Sequence, residues 1–411
     1  MLSRLNGGAP KRFRAGTHRL VSPAETVTRV RRFMPDMGIT RVANVTGLDC
    51  IGLPVVMVCR PNSRSLAVAQ GKGLDLDAAK ASGLMESVEA YHAEHITLPL
   101  KLCSYEEIRT AQSVVDVTQL PRPRHGLFDP DQAILWIEGH DLLQDEPVWV
   151  PYEAVHTNYT LTYRIGTNSF VASSNGLASG NHLLEAISHG ICEVVERDAS
   201  TLWSFLSEDA QCATRIELDT VDDPDCRAVL DKLELADVAL AAWETTSDIG
   251  MPAFQCTIVD RADHAIHRMY PASGFGCHPS RSVALLRAFT EAAQSRLTAI
   301  AGSRDDIHRR DYERFGDPDL FQEQSTGAEV RPSPRTFSGP SFDSDTFQDD
   351  LSWELERLRA AEIERVVVVD LSKPDFQLPV VRVIIPGLEY MSSHEGYQPG
   401  NRARLLAEQR A

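Results

Sequence analysis

Glu185, Glu193 and Glu196 lie in the stretch HLLEAISHGICEVVERDA, among Ile187, Ile191, Val194 and Val195. With about 100° between successive helical residues, the three acids fall within roughly 80° of one face. A solvated helix face commonly interleaves its acids with Lys or Arg four residues on. Here the nearest base is Arg197, directly after the last acid. Acids stacked on one stripe without basic partners are suited to holding a hard cation.

The stripe is repeated. Sliding the chain against itself brings Gly73, Ala79, Gly83, Glu86 and Glu89 onto Gly180, Ala186, Gly190, Glu193 and Glu196. A further slide brings Ala284, Ala288, Glu291 and Gln294 onto the last four. Small residues on one face let helices approach closely, so the acids beside them should converge in space. Carboxylates that converge in a low-dielectric interior repel, and burying them unpaired costs several kcal/mol each. Divalent cations resolve this, and oxygen ligands favour Mg²⁺, whose coordination is typically completed by substrate phosphates. Arg197 and Arg287 stand close by in the chain, and the glycine-bearing stretches QGKG and GLASGN could offer backbone N–H groups to phosphate oxygens.

Other chemistries fit less well. No G-x-x-x-x-G-K-[ST] loop is present. Glu89-Ala-Tyr-His92 is a Glu-x-x-His, but a di-iron carboxylate bundle needs a second such pair on an all-helical scaffold, and neither is found. His92 and His189 read as interior or rim histidines, and Cys192 and Cys277 as packed thiols.

The elements that must position these residues mix helices and strands. Ser22-Pro23 begins a helix, as N-cap and first helical residue. Several strands follow in GITRVANVTGLDCIGLPVVMVCRPNSRSLAVAQGKG, then a helix from Asp75 to about His95. Strands are expected in AILWIEGHDLL, in EPVWVPYEAV, over 238–246 and over 254–260. NSFVASSNGLASGN and SGFGCHPS read as glycine-rich loops that open the second and third repeat helices. Residues 302–347 read as extended polar chain; a helix over 348–361, two apolar strands and a short polar tail close the sequence.

The chain has 411 residues, 43% hydrophobic and 24% charged, as expected of a globular protein. A formal net charge of −17 argues against a nucleic-acid partner, which needs a basic face. Cysteines 50, 59, 103, 192, 212, 226, 256 and 277 are scattered without a C-x-x-C pair, which fits reduced thiols in a cytoplasmic protein. The basic amino terminus lacks a signal's apolar stretch, and no run approaches the roughly 18 apolar residues of a membrane helix.

At these residues the sequence resembles the YcaO family of ATP-dependent enzymes that modify peptide backbones. A Ser-x-x-x-Glu-x-x-Glu signature is present as Ser82, Glu86 and Glu89. A second is similar to SNGLASGNHLLEAISHGICEVVERDA, with Asn181, Glu185, Glu193, Glu196 and Arg197; a third to Arg287-Ala-Phe-Thr-Glu291, with Gln294 following. GTHRLVSPAET resembles the family's amino-terminal segment and supplies Arg19 and Thr26. The resemblance implies an α/β (α+β) fold in which mixed sheets pack on internally repeated helices that line an ATP site without a P-loop. It assigns Glu86, Glu89, Glu193 and Glu196 to Mg²⁺, with Glu185 close by. Arg19, Thr26, Ser82, Asn181, Arg197 and Arg287 would contact the nucleotide. The implied reaction has the amide oxygen attack the γ-phosphate, a nucleophile add at the amide carbon, and phosphate leave with the original oxygen.

Two features depart from the commonest pattern. Glu89 is followed by Ala90 rather than Arg, and the chain ends YQPGNRARLLAEQRA rather than in Pro-x-Pro-x-Pro. The ending VVRVIIPGLEYM…GYQPGNRARL is similar to members that work with a TfuA partner, which form backbone thioamides using an external sulfur donor. Glu389 and Arg402 within it are either structural or site residues. The organisation expected is a catalytic core over 1–302 with an amino-terminal segment of about 1–40, a polar linker over 303–347, and a carboxy-terminal α/β segment over 348–411 that completes the core. The function expected is amide activation for thioamide formation. Azoline formation, or a nucleotide-binding scaffold without chemistry, are the alternatives. A peptide or protein substrate is implied, and a homodimer is left open.

Overall fold

A computed structural model of the chain describes residues 8–160, 168–261, 271–315, 334–392 and 396–408. The stretch 316–333 of the expected linker, and residues 1–7 of the amino-terminal segment, lie outside the described residues. In chain order the elements are α1 (Pro23–Arg31), β1 (Arg41–Asn44), β2 (Val55–Cys59), β3 (Val68–Lys72), α2 (Leu76–Glu94), β4 (Leu100–Cys103), α3 (Tyr105–Ala111), β5 (Ile134–Asp141) and β6 (Glu146–Pro151). Then follow β7 (Leu177–Ser179), α4 (Leu183–Ser204), α5 (Glu208–Cys212), β8 (Ile216–Glu217), α6 (Pro224–Leu235), β9 (Val238–Glu244), β10 (Ala253–Asp260) and β11 (Ala272–Cys277). The remainder is α7 (Arg281–Ala301), α8 (Arg309–Phe315), β12 (Arg335–Thr336), α9 (Phe347–Ala360), β13 (Val367–Asp370), β14 (Val380–Ile384) and α10 (Asn401–Glu408).

Local chemistry sets the starts of the helices that matter. Ser22 and Glu25 form a reciprocal capping box with Pro23 in the first turn of α1. The Asp75 carboxylate accepts from the Ala78 N–H at 2.7 Å and starts α2, which ends at Glu94 with His95 as its C-cap. His182 caps α4 by accepting the Leu184 N–H on Nδ1 at 3.2 Å.

Of the glycine-rich stretches expected as loops, SGFGC lies in β11, whereas NSFVASSNGLASGN is loop except for the short strand Leu177–Ser179. Each repeat is a strand running directly into a helix: β3 into α2, β7 into α4, β11 into α7. The glycines are needed because the helix backbone lies on them. A Cβ on Gly71 would sit 2.0 Å from the Ala79 carbonyl oxygen and 2.1 Å from the Gly83 nitrogen. On Gly274 it would lie 2.2 Å from the Ala288 oxygen, and on Gly276 2.1 Å from the Ala284 oxygen. In the second copy α4 leans on β14 instead, and a Cβ on Gly190 would meet Val383 Cγ2 at 2.6 Å. The small residues aligned in sequence are therefore the places where helix meets strand. Two of the expected donors to phosphate are already used: Gly73 N–H donates to the Pro54 oxygen and Gly180 N–H to that of Pro379, both at 3.2 Å.

The sheets frame these units. β1-β2-β3 form one antiparallel sheet under α2, and β11-β10-β9 another under α7. A six-stranded sheet runs β4-β5-β13-β14-β7, with β6 on β5. Its central strands β13 and β14 come from the end of the chain and join β5 to β7. The described part of 334–347 packs down rather than hanging free: Phe342 stacks on Trp353 at 5.2 Å, and Phe337 meets Phe254 at 5.9 Å. The tail forms α10, clasped by Glu389, which accepts from the Tyr397 hydroxyl and from the Gly400 and Ala403 N–H groups. Arg402 pairs with Asp198 at 3.0 Å. Glu389 and Arg402 thus hold the tail and do not line the cavity described next.

Candidate active site

A cavity of about 720 Å³ lies where the acid-bearing faces of α2, α4 and α7 meet the amino-terminal segment. All the residues that the resemblance assigned to metal or nucleotide line it: Arg19, Thr26, Ser82, Glu86, Glu89, Asn181, Glu185, Glu193, Glu196, Arg197 and Arg287. Glu291 and Gln294 of the third copy line it too. The repeat register explains the convergence, because α2 and α7 present the same face over their own strands and α4 presents it over β14, the neighbour of β7.

Each carboxylate has its own surroundings. Glu86 accepts the Gln70 N–H at 2.9 Å. Glu89 accepts the Ser179 N–H at 2.9 Å and its hydroxyl at 2.7 Å. Glu185 accepts the Leu20 N–H at 3.1 Å and faces Arg19 Nε at 3.5 Å, fixing the segment that carries Arg19. Glu196 pairs with its neighbour Arg197 at 3.4 Å, and Glu291 with Lys72 at 2.5 Å. Glu193 has no direct hydrogen-bond or ion-pair partner among the described residues. Asn181 is held by Thr26, at 3.0 Å from its Nδ2, and by Arg29, at 3.1 Å from its Oδ1. Arg287 donates to His189 Nδ1 at 3.1 Å, and burial beside Arg287 and Arg19 holds that imidazole neutral.

The electrostatics show a shortage of positive charge. Burial, with repulsion from Glu193 and Glu86, pushes Glu89 up to about 8. Burial and the neighbouring Glu196 push Glu193 up to about 7, against the pull of Arg197, Arg382 and Arg287. Glu86 and Glu196 are raised for the same reasons, burial first, with Glu291 adding to both. Only Glu291 lies below the usual carboxylate range, because Lys72 and Arg197 outweigh its burial. A cluster of oxygen donors that its own cations do not neutralise fits a hard divalent ion, and the adjacent Arg197 and Arg287 fit phosphate oxygens.

Sequence reasoning passed over several lining residues. Lys72 and Ser179 stand at equivalent positions of the first and second repeats, so the slide that aligned Gly73 with Gly180 could have found both. Tyr159 and Arg304 carry no motif and reach the cavity only through the fold, whereas Tyr390 lies in the ending VVRVIIPGLEYM and was given no role there. Ala90 also lines it, and Arg304 brings a guanidinium there from beyond α7.

Residues 70–389 match the family model described as YcaO cyclodehydratase, ATP- and Mg²⁺-binding. The chain belongs to the YcaO family. It is 38% identical over 410 residues to a protein of the tfuA 3′ region of Rhizobium leguminosarum bv. trifolii, covering 96% of this chain and 95% of that one. A protein of Methanothermobacter thermautotrophicus is 34% identical, over 90% of this chain and 95% of its own. Among solved structures, the YcaO of Methanopyrus kandleri bound with AMPPCP and Mg²⁺ superimposes with a TM-score of 0.74 at 21% identity, over 96% of this chain and 99% of that one. A heterocyclase in complex with substrate and cofactor gives a TM-score of 0.77 at 22% identity, over 96% of this chain. The chain spans only 55% of that heterocyclase. These two likenesses establish a YcaO-like fold of mixed α and β elements. Among the described residues no helix is long and apolar enough to cross a membrane.

Proposed function

We propose that this YcaO protein uses ATP and Mg²⁺ to activate a peptide backbone amide, and does so for thioamide formation with a TfuA-type partner. The observation that carries the reading is the convergence of unneutralised carboxylates from three repeat helices on one cavity that also holds Arg197 and Arg287. Glu86, Glu89, Glu193 and Glu196 are the ligand set for Mg²⁺. Ser82, Asn181, Arg197, Arg287, Arg19 and Thr26 face the nucleotide, and Glu185 positions Arg19 through their 3.5 Å contact. Bound Mg·ATP supplies a phosphoryl group that makes the amide oxygen expellable. The protein's own contribution is to orient the phosphates through guanidinium groups and to keep bulk water from a buried, charged site. Residues 1–302 and 348–411 form one working unit in this reading, consistent with β13 and β14 joining β5 to β7.

The thioamide assignment is supported by the likeness to the relative from the tfuA 3′ region. Mass spectrometry of a candidate peptide co-expressed with this chain and a TfuA-type protein tests it. The expected product is heavier by the difference between sulfur and oxygen. Loss of one water would replace the thioamide reading with azoline formation. An unchanged peptide, with nucleotide bound and no phosphate released, would identify a scaffold.

A further inference from the structure

Lys72 ends β3 inside the cavity, and its ammonium meets Glu291 Oε2 at 2.5 Å. Glu291 is the third-copy equivalent of Glu86 and Glu193. Those two receive no side-chain cation directly, whereas Glu291 already has one. Among the described residues the Lys72 ammonium contacts Glu291 alone, and its side chain keeps 19% of its exposure. That differs from the rigid pair of Arg60 with Glu94, where both side chains are almost wholly buried and Glu94 also accepts from Ser65. Lysine is a compact point charge on a flexible stem and binds phosphate readily, so its partner can change without rebuilding the site.

We infer that Lys72 is an exchangeable counter-ion: it occupies Glu291 while the cavity holds no nucleotide and turns onto phosphate oxygens when Mg·ATP enters, releasing Glu291 to the cation. The inference rests on the ATP and Mg²⁺ reading and adds a consequence to it. Nucleotide removes the ammonium from the acids, and Mg²⁺ then replaces it, so each ligand strengthens the binding of the other. Lys72 is a positioning residue for the phosphates, and the coupling between the two ligands passes through it.

Calorimetry on the full chain tests this with Mg²⁺ alone, ATP alone and the two together. The wild type is expected to bind Mg²⁺ weakly without nucleotide, and Lys72→Met to bind it at least about tenfold more tightly, within the usual range of coupling factors. Lys72→Met should also bind Mg·ATP more weakly, while Lys72→Arg keeps the weak Mg²⁺ binding of the wild type. Glu291→Gln frees the ammonium with Lys72 intact, and should tighten ATP binding in the absence of Mg²⁺. If Lys72→Met fails to fold, this second variant decides alone. A Lys72→Met protein with lower thermal stability but wild-type Mg²⁺ affinity would make the pair merely structural and overturn the inference, as would Glu291→Gln with wild-type affinity for ATP alone. A wild type that binds ATP without regard to Mg²⁺ would instead overturn the functional reading and this inference together.

Discussion

Two sets of buried carboxylates in this chain are treated in opposite ways. Glu94 receives Arg60 at 2.6 Å as well as the Ser65 hydroxyl, and Glu244 receives both terminal nitrogens of Arg281, at 2.7 and 2.9 Å. Burial works to raise Glu244, but Arg281 and Arg335 hold it below the usual carboxylate range. In the cavity, Glu89 and Glu193 are raised to about 8 and about 7, for want of such partners. The contrast separates structure from function: the fold pairs the acids that must stay inert with a cation and leaves without one those that must take a ligand.

The largest effect should come from stripping a partner from the first set. Arg60→Ala leaves Glu94 buried without its cation and should cost about 3–5 kcal/mol, measured by urea denaturation. A loss under about 1 kcal/mol, the size of an exposed pair, would remove the distinction. Glu193→Gln in the second set should behave in reverse. It is expected to lower Mg²⁺-dependent ATP turnover by at least about 100-fold, a ligand being worth more than its supporting contacts. Its melting temperature should not fall, because the acid it replaces is already reluctant to ionise.

A subtler break moves the acids without touching them. Gly71→Ala would force α2 away from β3, since the new methyl would lie 2.0 Å from the Ala79 oxygen. Overpacking of this kind costs about 1–3 kcal/mol, and turnover should fall with it as Glu86 and Glu89 shift. Normal stability and turnover would show that the helix and strand need not be so close.

The smallest effect is a pH dependence. Glu89 has a folded-state value of about 8 against an ordinary 4.5, so its contribution to stability is full below 4.5 and is lost as pH rises through 8. Glu193 adds the same sign up to about 7. Mg²⁺ displaces those protons, so the rise in melting temperature that Mg·ATP brings should grow from pH 6 to pH 8. A constant rise would mean that these acids do not meet the ion.

The sequence discloses this site because repetition leaves a mark that single motifs do not. α2 could be placed from Asp75 to His95 by its cap and its end, and the acids converge as expected, but the small residues meet strands rather than the other repeat helices. The glycines were misleading in kind. Gly71, Gly274 and Gly276 look like loop residues by composition, yet they are strand positions whose missing side chain admits a helix backbone. Strand order was not readable either: nothing local in VVVVD or VVRVI tells that both lie between β5 and β7. The cation at Arg304 was equally hidden, because it reaches the cavity from a stretch without periodicity.

The most direct measurement is crystallographic: a crystal soaked with Mn²⁺ in place of Mg²⁺ and a non-hydrolysable ATP analogue, read by anomalous scattering. Metal peaks are expected among Glu86, Glu89, Glu193 and Glu196, with phosphate oxygens between them and the guanidinium groups of Arg197 and Arg287. Nucleotide bound elsewhere, with no anomalous signal among these four side chains, would contradict this assignment.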